Sequence, residues 1–297
     1  MKGIILAGGA GSRLYPMTQV FTKQLQPIYD KPMIYYPLSL LMLGGIKDVL
    51  IISTPTDIPA FEALLGDGSR YGIQISYKIQ ENPSGIPEAF ILGEDFMGAE
   101  EDVALILGDN LFYGDFDFFR KAFKNQIDRI DGKEARIFAY SVSDPERYGV
   151  VEFCKKTSEI KSIEEKPIKP KSSYAIPGLY FFPRSVINKT KNLKPSKRGE
   201  TEITDLINSY WNEGVLGVER INRGVAWLDT GTPKSLLDAS SFIGAIEERQ
   251  GLKVACLEEI ALRMNYLSYE EFEEIVSKIP NSTYKIYLEK IGAELKR

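Results

Sequence analysis

The feature that most constrains the fold is an alternation of short apolar runs with segments of helical pattern in the N-terminal third of the chain. In order along the sequence come GIILA, PMIYYPLSLLMLGG, DVLIIST, IPAFEALLGDG, IQISYKI, IPEAFILGEDF and VALILGD, strand-like and helix-like in turn. Strands separated by helices pair in parallel, because a parallel neighbour needs a long crossover connection. The pattern predicts an α/β protein with an open, mostly parallel sheet flanked by helices.

Local signals refine this prediction. Pro32 is predicted in the first turn of the first long helix, and Gly44 with Gly45 at its end. After about residue 135, closely spaced strand patterns (ARIFAYSV, YGVVEF, IKSIEEKP, YAIPGLYFF) predict a mixed extension of the sheet. A last strand, GVAWLD, precedes a helix over Pro233–Gln250 and short amphipathic helices follow. We therefore expect a main domain over residues 1–240 and a helical extension over residues 241–297.

Composition excludes several classes of function. The chain has no histidine, which excludes a Ser-His-Asp triad, a histidine base and histidine-ligated zinc. Its 37 basic and 41 acidic residues are interspersed, which argues against a nucleic-acid-binding surface. The only cysteines, Cys154 and Cys256, fit neither a zinc site nor a disulfide framework, so a cytoplasmic protein is expected. The N-terminal apolar run is too short for a signal peptide or a membrane span, and no membrane partner is expected.

A glycine-rich turn follows the first predicted strand. The stretch LAGGAGSRLYP, Leu6 to Pro16, places three glycines and Arg13 where a backbone can closely approach an anion. A P-loop is excluded, because no Gly-Lys pair is followed by Ser or Thr. A dinucleotide fingerprint is excluded too, since Leu14 stands where its third glycine is required. The turn is predicted to hold phosphate in some other way.

Two aspartates end predicted strands in the same manner. Asp109 follows VALILG and Asp229 follows GVAWL, so both could meet at the carboxyl edge of the sheet and hold Mg²⁺. The alternative is that each merely caps a helix. Arg13 and Lys23 could neutralise the phosphates of a nucleotide, although either could be an ordinary surface cation.

A second group of candidates lies in the extension of the sheet. In IEEKP, Glu165 could bind a sugar hydroxyl and Lys166 a phosphate, or the segment could be an exposed hairpin. In RYGVV, Gly149 could offer a backbone N–H to a substrate, or could simply mark a bend.

Ordered blocks along the chain resemble one enzyme family. The run from GIILAGGAGSRLYP to IKDVLII, and then LLGDGSRYG, LGDNLFYG, DPERYGVVEF, EEKPIKPKSSYA, GLYFF, NLKPSKRGETEITD, AWLDTGT and FIGAIEERQGLKVAC, resemble glucose-1-phosphate thymidylyltransferases over about residues 2 to 263. The resemblance implies a Rossmann-like nucleotidyltransferase domain and Mg²⁺-dependent conversion of dTTP and α-D-glucose 1-phosphate to dTDP-glucose and pyrophosphate. The sugar phosphate is already an anion, so the lack of histidine is no obstacle.

The resemblance also implies roles for individual residues. Arg13, Lys23 and Lys166 would be catalytic. The nucleotide would be bound by Gly8, Gly11, Ser12, Arg13, Lys23, Gln80, Pro83 and Gly85. The sugar phosphate would be bound by Tyr148, Gly149, Glu165, Lys166, Ile176, Gly178 and Arg198, and the metal by Asp109 and Asp229. A homotetramer and a dTDP-sugar feedback effector, with the block Leu252–Arg263 as one wall of its site, are further implications; a plain packing helix is the alternative for that block.

Three of the places where the sequence departs from the family pattern lie at expected substrate-binding segments. Ser12 stands for the usual threonine, Glu88 for a glutamine near the base, and Ile176 with Pro177 for valine and threonine. Two other functions stay open: a uridylyltransferase that prefers UTP, and a sugar-nucleotide sensor without catalytic activity. The sensor is disfavoured because Arg13, Lys23, Asp109, Lys166 and Asp229 are all present.

Overall fold

The structure is a computed structural model that describes residues 1–9, 11–98, 101–128, 133–196 and 199–296. Its strands are β1 (Lys2–Leu6), β2 (Pro27–Ile28), β3 (Lys31–Pro32), β4 (Asp48–Ser53), β5 (Gln74–Ile79), β6 (Val103–Leu107), β7 (Asn110–Tyr113), β8 (Ala135–Ser141), β9 (Gly149–Phe153), β10 (Ile160–Glu165), β11 (Tyr174–Ala175), β12 (Leu179–Phe182), β13 (Leu216–Arg220) and β14 (Ala226–Asp229). Its α-helices are α1 (Tyr35–Leu43), α2 (Ile58–Leu65), α3 (Glu88–Leu92), α4 (Glu94–Met97), α5 (Asp117–Ile127), α6 (Val186–Lys191), α7 (Ile203–Asn212), α8 (Pro233–Gln250), α9 (Leu257–Arg263), α10 (Tyr269–Lys278) and α11 (Thr283–Leu295).

A large mixed sheet organises the chain. Its strand order is β10-β9-β11-β8-β12-β6-β1-β4-β5, and β13 pairs with β8. The strands β6, β1, β4 and β5 are parallel, whereas β12 is antiparallel to both β6 and β8. Ile4 and Ile5 of β1 are fully buried in core clusters on opposite faces of the sheet, as the period-two alternation of a strand requires. The α/β class and the mixed open sheet predicted from the sequence are confirmed.

The last predicted strand lies outside the large sheet. β14 pairs with β7 as a two-stranded antiparallel ribbon, in which Asp229 stands opposite Asn110. The ribbon continues directly from β6 through Gly108 and Asp109. Asp229 therefore reaches Asp109 through this ribbon and not, as expected, at the edge of a shared sheet.

One helix start was predicted wrongly. Pro32 pairs with Pro27 in the small β2–β3 hairpin, and α1 begins only at Tyr35. Pairing in the hairpin keeps Pro32 out of the helix. The end of α1 is as predicted, since the backbone N–H of Gly44 donates to carbonyls of the last helical turn.

The helix α8 has the predicted bounds, Pro233–Gln250, and begins with a capping box formed by Thr232 and Ser235. It runs without a break through residue 240, so the predicted domain boundary falls inside a helix and the division into two units stays a prediction. Beyond it, α10 and α11 enclose a small apolar cluster that includes Cys256, Phe272 and Leu288. No helix in the described part of the chain is long and apolar enough to cross a membrane.

Candidate active site

Two cavities share one wall at the carboxyl ends of β1 and β6, the edge of an open α/β sheet where ligands usually bind. The larger has a volume of about 260 Å³ and the smaller about 200 Å³. Ile86, Leu107 and Asp109 line both. A carboxylate therefore stands where the two cavities meet.

The described sugar-phosphate candidates line the larger cavity, together with Arg13, which was expected to bind the nucleotide; most other nucleotide candidates line the smaller cavity. The larger cavity is lined by Arg13, Asp109, Tyr148, Gly149, Glu165, Lys166, Ile176, Gly178 and Asp229. The smaller is lined by Gly8, Lys23, Gln80, Pro83, Gly85 and Asp109. Gly11 and Ser12 belong to the same loop as Gly8 and Arg13 but are not among the lining residues. Arg198 lies outside the described residues.

Asp109 is buried and held by two side chains. Its Oδ2 forms an ion pair with the ammonium of Lys23, and its Oδ1 accepts a 3.0 Å hydrogen bond from Asn110 Nδ2. Burial alone would raise the pKa of Asp109, but the nearby Lys23 charge and these hydrogen bonds outweigh burial and lower it. The group is thus a carboxylate at neutral pH, and it does not cap a helix.

Asp229 is held by residues of a different segment. Its Oδ2 lies 2.9 Å from Arg147 Nη2 and accepts a 3.3 Å hydrogen bond from the hydroxyl of Tyr148. Burial and the Asp229 charge raise the pKa of Tyr148, so its phenol stays protonated and can donate. The Oδ1 of Asp229 accepts from the N–H of Gly231, a local turn contact.

Arg13 extends from the glycine-rich loop toward the Asp229 loop. A Cβ placed on Gly231 would be 2.9 Å from Arg13 Nη2 and 3.0 Å from Asp229 Oδ1. The guanidinium is exposed and makes no ion pair with any described residue. An unpaired cation at the mouth of a cavity is available to an anionic ligand.

Glu165 is the last residue of β10 and Lys166 follows it, both at the wall of the larger cavity. Lys166 has a φ of 41°, a conformation that non-glycine residues rarely adopt, and its N–H donates to Tyr148 O at 3.0 Å. Glu165 Oε2 lies 3.5 Å from where a Cβ on Gly149 would be. These side chains border a cavity rather than forming only a solvated hairpin.

Gln80, Pro83 and Gly85 line the smaller cavity. Gln80 is buried, and its Nε2 donates to Glu88 Oε2 at 2.5 Å. Gly85 has a φ of 123°, and a Cβ on it would be 2.1 Å from the backbone oxygen of Thr201, so only glycine fits there.

Two residues that support the site, Asn110 and Arg147, were not predicted from the sequence. Asn110 Oδ1 accepts from the N–H of Gly178 at 3.0 Å and from Trp227 Nε1 at 2.7 Å, while its Nδ2 holds Asp109. Arg147, 82 positions before Asp229, was quoted in RYGVV but given no role. Apart from Asp109, these partners lie far away in sequence, 68 and 117 positions from Asn110 and 82 from Arg147. The local signal was only that each stands beside a predicted site residue.

The donor set limits what metal could bind. Within the described ranges no three or more acidic or cysteine side chains group as a metal cage. Asp109 and Asp229, both lining the larger cavity, supply two carboxylates. This set fits Mg²⁺, which is usually held by one or two carboxylates together with substrate phosphates and water.

Comparisons with known proteins agree on one family. The nucleotidyl transferase family profile matches residues 2–245, a range that contains every candidate site residue. A glucose-1-phosphate thymidylyltransferase of Neisseria meningitidis (serogroup A) is 52% identical over 288 residues, covering 97% of this chain and 98% of that protein. The enzyme of the same name from Mycobacterium tuberculosis (strain H37Rv) is 50% identical over 289 residues, covering 97% and 98%. A crystal structure from Bacillus anthracis, assigned as a glucose-1-phosphate thymidylyltransferase in complex with sucrose, has a TM-score of 0.74 at 42% identity and covers 82% of this chain and 94% of that one.

Proposed function

The chain belongs to the glucose-1-phosphate thymidylyltransferases of the nucleotidyl transferase family, and we propose that its two joined cavities transfer a thymidylyl group from dTTP to α-D-glucose 1-phosphate. The products are dTDP-glucose and pyrophosphate. A phosphate oxygen of the sugar forms a bond to the α-phosphorus while the bond from that phosphorus to pyrophosphate breaks. The observation that carries the proposal is the position of Asp109 in the wall shared by both cavities.

The cations supply most of the chemistry. The attacking oxygen is already an anion, so no base is needed and catalysis depends on positioning and charge. Arg13 and Lys23 bind the triphosphate and stabilise the charge that develops on pyrophosphate. Lys166 holds the sugar phosphate in line. Gly8, Gly11 and Ser12 form the loop around the triphosphate, and Arg198 is a further phosphate ligand in this proposal.

The family uses a divalent cation, and we infer that it is Mg²⁺ held by Asp109 and Asp229. When bound, it would neutralise phosphate charge and polarise the reacting phosphoryl group. In the structure Lys23 and Arg147 balance these two carboxylates. Asp109 and Asp229 both line the larger cavity, where a cation would reach them.

The remaining residues recognise the organic parts of the substrates. Gln80, Pro83 and Gly85 contact the base. Tyr148, Gly149, Glu165, Ile176 and Gly178 surround the sugar, with Glu165 on its hydroxyls. Burying the thymine methyl group is worth about 0.8 kcal/mol, roughly a fourfold preference over uracil. UTP is therefore expected to be a detectable second substrate.

Assembly and regulation follow from the family alone. A homotetramer with a dTDP-sugar effector at subunit contacts is part of this proposal. The helix α9 would be one wall of that site, although Leu257, Ile260 and Ala261 on it are buried in the fold. Light scattering and dTDP-sugar inhibition would test both. The cytoplasmic location stays a prediction, and both cysteines are free.

The test is pyrophosphate release from glucose 1-phosphate and Mg²⁺ with dTTP, UTP, dCTP, ATP or GTP in separate assays. Fastest release with dTTP is expected. Fastest release with UTP would favour the uridylyltransferase. Binding of nucleotide without release by the folded protein would favour the sensor.

A further inference from the structure

We propose that Glu88 fixes the orientation of the Gln80 side-chain amide and thereby makes the enzyme select an imide base, thymine or uracil, over cytosine. The inference rests on the proposed function, because it assumes that the smaller cavity receives the base. It assigns a positioning role to a residue to which the proposed function gives none.

The side chains of Gln80 and Glu88 are in direct contact. Gln80 Nε2 donates to Glu88 Oε2 at 2.5 Å, and the backbone N–H of Ser84 donates to the same oxygen at 3.2 Å. A carboxylate only accepts hydrogen bonds, whereas an amide has one donor end and one acceptor end. Only the NH₂ end of Gln80 can therefore face Glu88. The carboxylate of Glu88 thus excludes the flipped orientation, in which the carbonyl oxygen of Gln80 would face it.

The carbonyl end of the Gln80 amide then faces the glycine-rich loop. Gln80 Oε1 lies 2.7 Å from the position of a Cβ built on Gly8, and both residues line the smaller cavity. Gln80 is only 3% exposed, so its amide cannot turn into bulk water. The residue therefore offers a hydrogen-bond acceptor beside the glycine loop.

The bases differ in their chemistry at N3. Thymine and uracil carry an N3–H that can donate to this oxygen, and cytosine has an unprotonated N3 in that place. A cytosine seated in the same way would set the N3 lone pair against a carbonyl oxygen and leave a buried acceptor unpaired. A site built around such a hydrogen bond rejects the wrong partner far more strongly than an apolar pocket does. Because Glu88 holds the amide, the rejection does not relax by a flip of Gln80.

The experiment measures the ratio of kcat/KM for dTTP over that for dCTP, with saturating glucose 1-phosphate. Glu88→Leu removes the acceptor and frees the amide to turn its NH₂ end toward N3 of cytosine. We expect the ratio to fall by about tenfold or more, the effect of one misdirected hydrogen bond. Glu88→Gln restores an amide that can either accept from or donate to Gln80, so its ratio should fall between those of the wild type and Glu88→Leu.

A matched control is Glu94→Leu. Glu94 opens the next helix and pairs with Lys191 at the surface, so its replacement removes the same charge without touching Gln80. Its ratio should equal that of the wild type. In a Gln80→Leu background, Glu88→Leu should change the ratio no further, because the effect passes through Gln80.

The outcomes separate this inference from the proposed function. A wild type that releases pyrophosphate with dTTP, combined with an unchanged ratio in Glu88→Leu, would overturn the role of Glu88 and leave the function standing. An equal fall in Glu94→Leu, or a further fall in the Gln80→Leu background, would also overturn it. A folded wild type that is inactive with every nucleotide would overturn both.

Discussion

Two clusters of ion pairs in the molecule are built from the same residue types but differ in how their charges are paired. At the cavities, Asp109 pairs with Lys23, and Asp229 pairs with Arg147. At the junction of the β2–β3 hairpin with the end of α8, Lys31 and Lys253 each pair with both Asp30 and Glu247. In the second cluster, which we call the hairpin cluster, every charge has two opposite partners. In the first, each aspartate has one cationic partner among the described residues and lines a cavity.

The two clusters differ in how completely their charges are paired. The hairpin cluster borders a separate cavity of about 530 Å³, yet Lys31 has only 2% and Glu247 only 5% of its side chain exposed. Buried charges cost several kcal/mol each to desolvate unless they are paired with good geometry, and a closed set of four meets that condition. The cavity aspartates are paired less completely, and we expect a substrate or cation to be able to replace Lys23 or Arg147. We therefore predict that the hairpin cluster is structural and that the cavity aspartates are functional.

The largest effect should come from neutralising a cavity carboxylate. Asp109→Asn and Asp229→Asn keep the side-chain shape but remove the charge, and each should lower kcat by about 10³-fold, near the upper range for loss of one electrostatic group. Steady-state pyrophosphate release measures the loss, and thermal unfolding should show an intact fold. Asp238→Asn, an exposed helix residue paired with Lys234, is the matched control. Near wild-type turnover in both cavity variants would remove the proposed metal site.

Breaking the hairpin cluster should lower stability and leave turnover unchanged. Lys31→Met leaves Asp30 and Glu247 facing each other with only Lys253 between them, and should cost about 3 kcal/mol of unfolding free energy. Urea unfolding measures this loss, while kcat of the folded fraction at low temperature should stay near the wild-type value. A stable variant with reduced kcat would contradict the structural assignment. Lys278→Met, which removes an exposed lysine paired with Glu274, is the control.

Arg13→Ala should have a smaller effect than the aspartate variants, and on activity alone. Arg13 is exposed and pairs with no carboxylate among the described residues, so its removal should not lower stability. If it binds phosphates in the transition state, kcat/KM for dTTP should fall by about 10²-fold. Arg120→Ala, an exposed arginine on α5, should change neither quantity. Unchanged kinetics in Arg13→Ala would return the glycine-rich loop to a structural role.

The contrast also shows what the sequence could predict. The alternation of strands and helices, the end of α1 and both bounds of α8 depend on local patterns, and these were read correctly. The first turn of α1 was not, because pairing of Pro32 with Pro27 in a hairpin overrode a local preference for helix. Asp109 and Asp229 stood out because each ends an apolar run. Arg147, Asn110 and the hairpin cluster gave no such signal, since Lys31 and Glu247 meet across 216 positions of sequence.

The smallest expected effect is the pH dependence of the stability that Asp30 of the hairpin cluster provides. Burial would raise the pKa of Asp30, but hydrogen bonds from Lys253 and Lys31 and their charges outweigh burial and lower it. A carboxyl group with a lowered pKa in the folded state stabilises the protein fully above its unfolded pKa, about 3.9, and that contribution is lost as pH falls through the folded value. Asp30→Asn should therefore cost about 1 to 2 kcal/mol of unfolding free energy at pH 7, and the difference from wild type should shrink below about pH 4. Unfolding in urea at pH 7, 5 and 3.5 measures this, and kcat at pH 7 should not change, because Asp30 lies outside both joined cavities. A difference in stability that stays constant down to pH 3.5 would mean that the charge of Asp30 adds nothing and that the hairpin cluster is held by packing.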